Sequence, residues 1–149
     1  MTEPFVEITR REEFSAAHRL HDPGLSAEEN RRVFGVCNNE NGHGHNYAFE
    51  VTVRGPVAKR TGMVMDLNRL MVILREEIVS VVDHKSLNHD VPFLAGLNPT
   101  AENVAVAFWQ RLEPHLKGFE GCRLHRVRVC ESRNNFVDYY GPGNRASSP

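Results

Sequence analysis

Two stretches of alternating apolar and polar residues predict strands with one buried face. The first runs from about Phe5 to His18, and the second begins near His43. Residues at every second position of a strand point to one face, and we call the set that carries the apolar residues the apolar parity. Its members are Val6, Ile8, Phe14, Ala16 and His18 in the first stretch and Tyr47, Phe49, Val51 and Val53 in the second. His43 and His45 share that parity, so the pattern places two imidazoles on the core-facing side of a strand.

Apolar residues then recur at helical spacing in two segments. The first segment has Asp66 as its predicted N-cap, and the second has Thr100 as its cap and Pro114 near its end. The inward positions are Leu67, Leu70, Met71, Leu74, Ile78 and Val81 in the first helix and Val104, Phe108 and Leu112 in the second.

Two more strand patterns close the chain, Leu124 to Glu131 and Phe136 to Tyr140. The order strand, strand, helix, helix, strand, strand predicts an α+β domain. We expect a four-stranded antiparallel sheet with both helices packed on one face.

Length and composition predict a single domain. The chain has 149 residues, 40% of them apolar and 25% charged, which is ordinary for a globular domain. We place that domain at residues 1–140 and expect a flexible tail at 141–149, where Gly, Pro and Ser dominate.

The charge and hydropathy of the chain exclude several classes of partner. A net charge of -1 favours neither nucleic acid nor an anionic membrane surface. No apolar run reaches transmembrane length, and no secretory signal pattern opens the chain, so we expect a cytoplasmic location. Three cysteines without a Cys-x-x-Cys pair favour neither a disulfide framework nor a thiolate zinc finger.

The His43-Gly44-His45 motif predicts a metal site. Catalytic zinc takes three protein ligands and keeps one position open. His18 is the best third ligand, because it ends the first strand on the apolar parity. His21, His89, His115 and His125 compete for this role, and His125 stays open as a rival because its parity also matches the core face of its strand.

Three further groups are candidates for acid–base or binding chemistry. Cys37 lies in a polar loop six residues before His43, where a nearby cation would favour its thiolate. Asp83 precedes His84 and can hold its tautomer, although neighbours in sequence need not touch. Glu131 ends a strand on the core parity, where a carboxylate needs a partner such as a ligand's paired N–H groups or an arginine.

Taken together, these segments resemble the 6-pyruvoyltetrahydropterin synthase family, which includes 6-carboxytetrahydropterin synthases. The resemblance spans nearly the whole chain except the tail. The matching segments, in order, are Phe14–Leu20, Glu28–Asn30, Cys37–Tyr47, Thr61–Asp66, Asp83–Lys85, Glu102–Ala105 and Val129–Glu131.

The resemblance implies a tunnelling fold (T-fold) and a homo-hexamer built as a dimer of trimers, with active sites between subunits. It implies Zn²⁺ held by His18, His43 and His45, and a pterin substrate anchored by Glu131. It further implies Cys37 as the catalytic base, with Asp83 and His84 as its relay partners.

The implied reaction is the conversion of 7,8-dihydroneopterin triphosphate to 6-pyruvoyl-tetrahydropterin with loss of triphosphate. Two other activities of the family stay open: synthesis of 6-carboxytetrahydropterin, and side-chain cleavage to 6-hydroxymethyl-7,8-dihydropterin. The five residues between Cys37 and His43 match the animal-like synthases, whereas the queuosine-pathway enzymes typically have a shorter spacer. Glu40 resembles the glutamate of the cleaving branch and is a further catalytic candidate. A non-catalytic domain stabilised by zinc is the alternative outside enzymology, and it requires a fourth protein ligand.

Overall fold

The computed structural model describes residues 3–143 and shows a five-stranded sheet in the spatial order β3-β1-β2-β4-β5. The predicted tail at 141–149 lies mostly outside the described residues. The strands are β1 (Phe5–His18), β2 (His43–Pro56), β3 (Lys85–Ser86), β4 (Arg123–Cys130) and β5 (Phe136–Tyr139). The helices are α1 (Ala27–Phe34), α2 (Leu67–Leu74), α3 (Ser80–Val82) and α4 (Ala101–Leu116).

Strands β1 and β2 form a long antiparallel ribbon whose register follows the predicted parity. Phe14 lies opposite Tyr47, and His18 lies opposite His43. Directly opposed residues of an antiparallel pair face the same side of the sheet. The buried side chains of both strands therefore form one apolar face, and the histidines continue it at the ribbon's open end.

Helices α2 and α4 cover that apolar face, as predicted. Asp66 caps α2 by accepting from the Asn68 N–H, and Thr100 caps α4 by accepting from the Asn103 N–H. A π-helical turn at Arg75–Val79 joins α2 to α3. The core lies between these helices and the sheet and includes fully buried Phe49, Leu70, Leu74, Val104, Phe108, Leu112 and Val127.

The prediction of four strands is wrong by one short strand. The fifth, β3, pairs parallel with β1 over two residues, which is too short for an alternation pattern to reveal. His84 has φ 58°, in the left-handed region, and its N–H donates to the Ser15 carbonyl. This turn brings the chain from α3 onto the edge of β1.

The predicted order of elements is also wrong between the first two strands, where α1 is inserted. Ser26 and Glu29 form a reciprocal capping box at its N-terminus. The Ser-x-x-Glu spacing is the sequence signal that would have predicted this helix.

His125 does not lie on the core face, because β4 contains an irregularity. Val53 pairs with Leu124, whereas the adjacent Thr52 pairs with Arg126. His125 is the unpaired residue of this bulge, and its Nε2 lies 3.2 Å from a Glu7 carboxylate oxygen. The bulge reverses the parity that made His125 a rival ligand.

Across residues 3–143, every helix falls short of the length and apolarity that crossing a lipid bilayer requires.

Candidate metal centre

Three imidazoles meet where the β1–β2 ribbon ends. His18 is opposite His43, and His45 is opposite Ala16 on the same face. One ligand atom from each histidine lies within 4.8 Å of the others. The structure therefore brings together the three residues that the sequence predicted.

The tautomer of His18 is set by a backbone carbonyl. His18 Nδ1 lies 2.8 Å from the Pro99 carbonyl oxygen, which can only accept, so Nδ1 carries the proton. The His18 Nε2 then presents a lone pair. The Nε2 atoms of His43 and His45 lie 3.0 and 3.2 Å from it. One lone pair accepts a single hydrogen bond, whereas a shared cation satisfies all three nitrogens.

Burial favours the metal-binding form of two of the three imidazoles, His18 and His45. His18 is 1% exposed, and burial lowers its pKa below the ordinary value. Burial also lowers the pKa of His45, partly opposed by the Glu131 carboxylate. Neutral imidazole is the ligand form, so these shifts favour metal binding.

Tyr47 supports His18 from the core side. Its hydroxyl oxygen lies 3.2 Å from His18 Nδ1, and its ring stacks on Phe14 with centroids 4.9 Å apart. Burial raises the pKa of Tyr47, and the charges of Glu131 and Cys37 raise it further. Tyr47 therefore stays protonated and fixes the orientation of the His18 ring.

The residues present fit a catalytic metal better than a structural one. Imidazole nitrogens suit zinc and several other transition metals. The group that converges consists of three histidines, with no fourth His, Cys, Asp or Glu of residues 3–143 joining it. A three-residue site leaves a position for substrate, whereas a structural zinc site needs four protein ligands.

Glu131 lies beside this centre, one residue past β4. A Glu131 carboxylate oxygen is 3.6 Å from His45 Nε2, and its N–H donates to the Asn135 carbonyl. Its side chain is 24% exposed. The carboxylate is thus partly accessible at the rim of the metal centre, where a ligand's N–H groups can reach it.

The turn that carries Cys37 is held against the segment that follows His18. Cys37 lies in a 3-10 turn, Gly35–Asn38, and its carbonyl accepts from the Leu20 N–H at 2.9 Å. Asn38 accepts from Arg19 Nε through its own carbonyl at 3.1 Å. These bonds fix the thiol's backbone near the end of β1, and the Cys37 side chain is half-buried.

Asp83 and His84 touch each other but not the three histidines. Asp83 Oδ2 lies 3.0 Å from His84 Nδ1, and Asp83 Oδ1 accepts from the Ser15 N–H at 2.9 Å. That backbone bond, followed by the bond to His84, lowers the Asp83 pKa. The His84 side chain is 81% exposed. Across residues 3–143, no hydrogen bond or ion pair joins this pair to the metal centre.

Glu40 lies in the exposed turn before β2. It lines two adjoining clefts, one bordered by His43 and the other by His18. The structure therefore places this carboxylate at the mouth of the metal centre.

Three supporting residues escaped prediction from the sequence. Pro99 contributes only a backbone carbonyl, which no side-chain pattern reveals. Tyr47 was predicted as core, and its second role depends on the register of β1. Asn38 lies in the polar loop that carries Cys37, and nothing in the sequence indicates that it is 6% exposed and bonds to Leu20 and His21.

Comparison with known proteins gives consistent matches. The family model described as 6-pyruvoyl tetrahydropterin synthase matches residues 7–142. A Drosophila melanogaster protein named 6-pyruvoyl tetrahydrobiopterin synthase is 46% identical over 140 residues, covering 94% of this chain and 82% of that protein. The Homo sapiens protein of the same name is 47% identical over 136 residues, covering 91% and 92%. The solved Caenorhabditis elegans 6-pyruvoyl tetrahydropterin synthase superposes with TM-score 0.86 at 40% identity, covering 95% and 99% of the chains.

Proposed function

Because the chain belongs to the 6-pyruvoyl tetrahydropterin synthase family, we propose that it is a lyase that forms 6-pyruvoyl-tetrahydropterin from 7,8-dihydroneopterin triphosphate. The observation that carries this proposal is the convergence of His18, His43 and His45 on one point beside the Cys37 turn. Product chromatography after incubation with dihydroneopterin triphosphate tests it directly.

We propose that His18, His43 and His45 hold Zn²⁺. Bound there, the ion supplies Lewis acidity that makes the hydroxyl groups of the substrate's side chain easier to deprotonate. The surrounding residues orient His18: the Pro99 carbonyl fixes its tautomer, and Tyr47 bounds the ring from the core.

Cys37 is the proposed base that removes a carbon-bound proton from the substrate's side chain. A thiolate performs this step, and a nearby cation increases the thiolate fraction. Triphosphate then leaves, and the side chain tautomerises to the pyruvoyl form. The substrate is oxidised and reduced internally, so no redox cofactor takes part.

His84, held by Asp83, is the proposed group that returns the proton. Asp83 accepts from His84 Nδ1, so the exposed Nε2 is the atom that exchanges protons. The His84 side chain is strongly exposed, and within residues 3–143 the pair has no hydrogen bond or ion pair to His18, His43 or His45, which supports its use at a neighbouring subunit's site. We therefore propose a homo-hexamer, a dimer of trimers, with composite active sites acting in the cytoplasm.

Glu131 is the proposed anchor for the pterin ring. Its partly exposed carboxylate beside His45 can accept two hydrogen bonds from the guanidine-like edge of a pterin. We expect Glu131→Gln to weaken binding of a pterin analogue by about 10–100-fold, since a charge-assisted hydrogen bond contributes about 1.5–3 kcal/mol. A binding titration on zinc-loaded protein measures this.

The matched control for that titration is Glu120→Gln, which removes an exposed carboxylate in the turn before β4. It should leave analogue affinity within about twofold, as surface substitutions usually do. Equal affinities for Glu131→Gln, Glu120→Gln and the unmodified protein would reject the anchoring role.

A second activity, cleavage to 6-hydroxymethyl-7,8-dihydropterin, is favoured by the position of Glu40. This carboxylate borders two clefts that reach the metal centre, where a second base would act. If Glu40 is that base, Glu40→Ala should cut hydroxymethyl product at least about tenfold, while pyruvoyl formation through Cys37 continues.

Product ratios from one chromatographic run measure both activities together. Glu28→Ala, an exposed glutamate of α1, is the matched control and should leave the ratio unchanged. Glu40 would have no catalytic role in this cleavage if the unmodified protein formed no 6-hydroxymethyl product, or if Glu40→Ala formed as much of it as the unmodified protein.

A further inference from the structure

A cleft of about 1020 Å³ opens beside His43, between α1 and the turn that carries Cys37. The polar part of its wall consists of Arg19, His21, Arg31, Asn38, Asn39, Glu40 and His43. We call this cavity the Asn38 cleft. It adjoins the metal centre because His43 belongs to both.

Asn38 organises two of the donors around this cleft. Its side-chain amide donates to the Leu20 carbonyl at 2.7 Å and to His21 Nδ1 at 3.1 Å. Because His21 Nδ1 accepts, the neutral ring carries its proton on Nε2, which can donate. The Asn38 carbonyl holds Arg19 Nε at 3.1 Å, so the other guanidinium nitrogens of Arg19 remain available.

The arginines of the cleft lack anionic partners. Within the part of the chain that the structure describes, neither Arg19 nor Arg31 forms an ion pair with a carboxylate. Glu40 also lines the cleft but is not paired with either of them. Two guanidinium groups against one carboxylate leave the wall positively charged, although the chain as a whole has a net charge of -1.

The chemistry of the substrate indicates what this wall receives. In dihydroneopterin triphosphate, the carbon that bears the triphosphate is directly attached to one of the hydroxyl-bearing carbons. If those hydroxyl groups lie at the three histidines, the triphosphate must begin within a few bond lengths of them. The Asn38 cleft begins there, at His43, and offers the planar guanidinium groups of Arg19 and Arg31, whose N–H donors match phosphate oxygens.

We propose that the Asn38 cleft binds the triphosphate group of the substrate. Arg19 and Arg31 contact phosphate oxygens, and His21 Nε2 donates a hydrogen bond. Asn38 is a positioning residue that holds Arg19 and His21 in place. This inference rests on the proposed function, because it takes the substrate's triphosphate to be the ligand.

The test compares Arg31→Gln with Arg32→Gln in the zinc-loaded full chain. Both arginines are exposed neighbours on α1, but only Arg31 lines the cleft. Arg31→Gln should raise KM for dihydroneopterin triphosphate about tenfold and weaken inhibition by inorganic triphosphate equally, since each lost charge-assisted bond costs about that factor. Arg32→Gln should change both by less than about twofold.

Two further measurements separate this inference from the proposed function. Calorimetric titration with inorganic triphosphate needs no turnover, so weaker binding by Arg31→Gln supports the cleft even if pyruvoyl product is never formed. Affinity for dihydroneopterin, which lacks phosphate, should be equal in all variants. Unchanged KM and unchanged triphosphate binding in both Arg31→Gln and Arg19→Gln would overturn the inference, as would equal losses in Arg31→Gln and Arg32→Gln.

Discussion

Replacement of Cys37 by alanine should abolish most formation of 6-pyruvoyl-tetrahydropterin while leaving the metal in place. A positioned proton-transfer group typically contributes about 10²–10⁴-fold, so kcat should fall by that factor. The three histidines do not depend on the thiol, since their orientation comes from Pro99, Tyr47 and the β1–β2 register. Single-turnover kinetics with quantified zinc content measures both properties.

The matched control is Cys122→Ala, which removes a half-buried thiol that donates to the Phe119 carbonyl. Cys122 lies in the segment before β4, so Cys122→Ala should turn over within about twofold of the unmodified rate. A Cys37→Ala enzyme that turns over at the unmodified rate would remove the thiol from the mechanism. A parallel loss of zinc would instead assign Cys37 a role in holding the metal centre.

The alternation of apolar and polar residues predicts the metal centre correctly, because its three histidines lie on the regular antiparallel ribbon of β1 and β2. His18, His43 and His45 share the parity of Phe14 and Tyr47, and antiparallel pairing turns shared parity into shared position. For this reason the sequence alone predicts that three residues from two separate segments meet at one place. Asp66 and Thr100 were predictable for a similar reason, because N-caps depend on local sequence.

The features that prediction missed depend on local irregularity. His125 has the parity of a core residue, yet the bulge in β4 turns it toward Glu7. Strand β3 forms because His84 adopts a left-handed backbone conformation. The residues around a histidine in the sequence do not predict that conformation. Helix α1 was missing from the prediction although its N-terminus was predictable, since Ser26 and Glu29 have the spacing of a capping box.

Residues that act through backbone atoms are not revealed by side-chain patterns in the sequence. The Pro99 carbonyl sets the His18 tautomer, although the sequence around Pro99 indicates only the start of a helix. Asp83 and His84 are in contact, as their adjacency in the sequence allowed. They lie along the edge of β1, where Asp83 accepts from the Ser15 N–H, and not at the three histidines. Their assigned relay role stays a prediction that depends on assembly.

Removal of the His43 imidazole should empty the metal centre without unfolding the domain. His43 contributes one of three converging nitrogens, and it lies at the first residue of β2, outside the apolar core formed by Phe14, Tyr47 and Phe49. Loss of even an outer hydrogen-bond partner typically weakens metal binding about 10–100-fold, and loss of a direct ligand should exceed that. We therefore expect His43→Ala to retain far less than one zinc per chain after dialysis.

Added zinc should raise the unfolding temperature of the unmodified protein but not that of His43→Ala, because a ligand stabilises the folded state only as far as it binds. His125→Ala is the matched control, since it removes the rival imidazole on β4 and should keep full zinc. Elemental analysis and thermal unfolding with and without added zinc measure both effects. A His43→Ala protein with one zinc per chain, or a His125→Ala protein without it, would contradict the assignment of the three ligands.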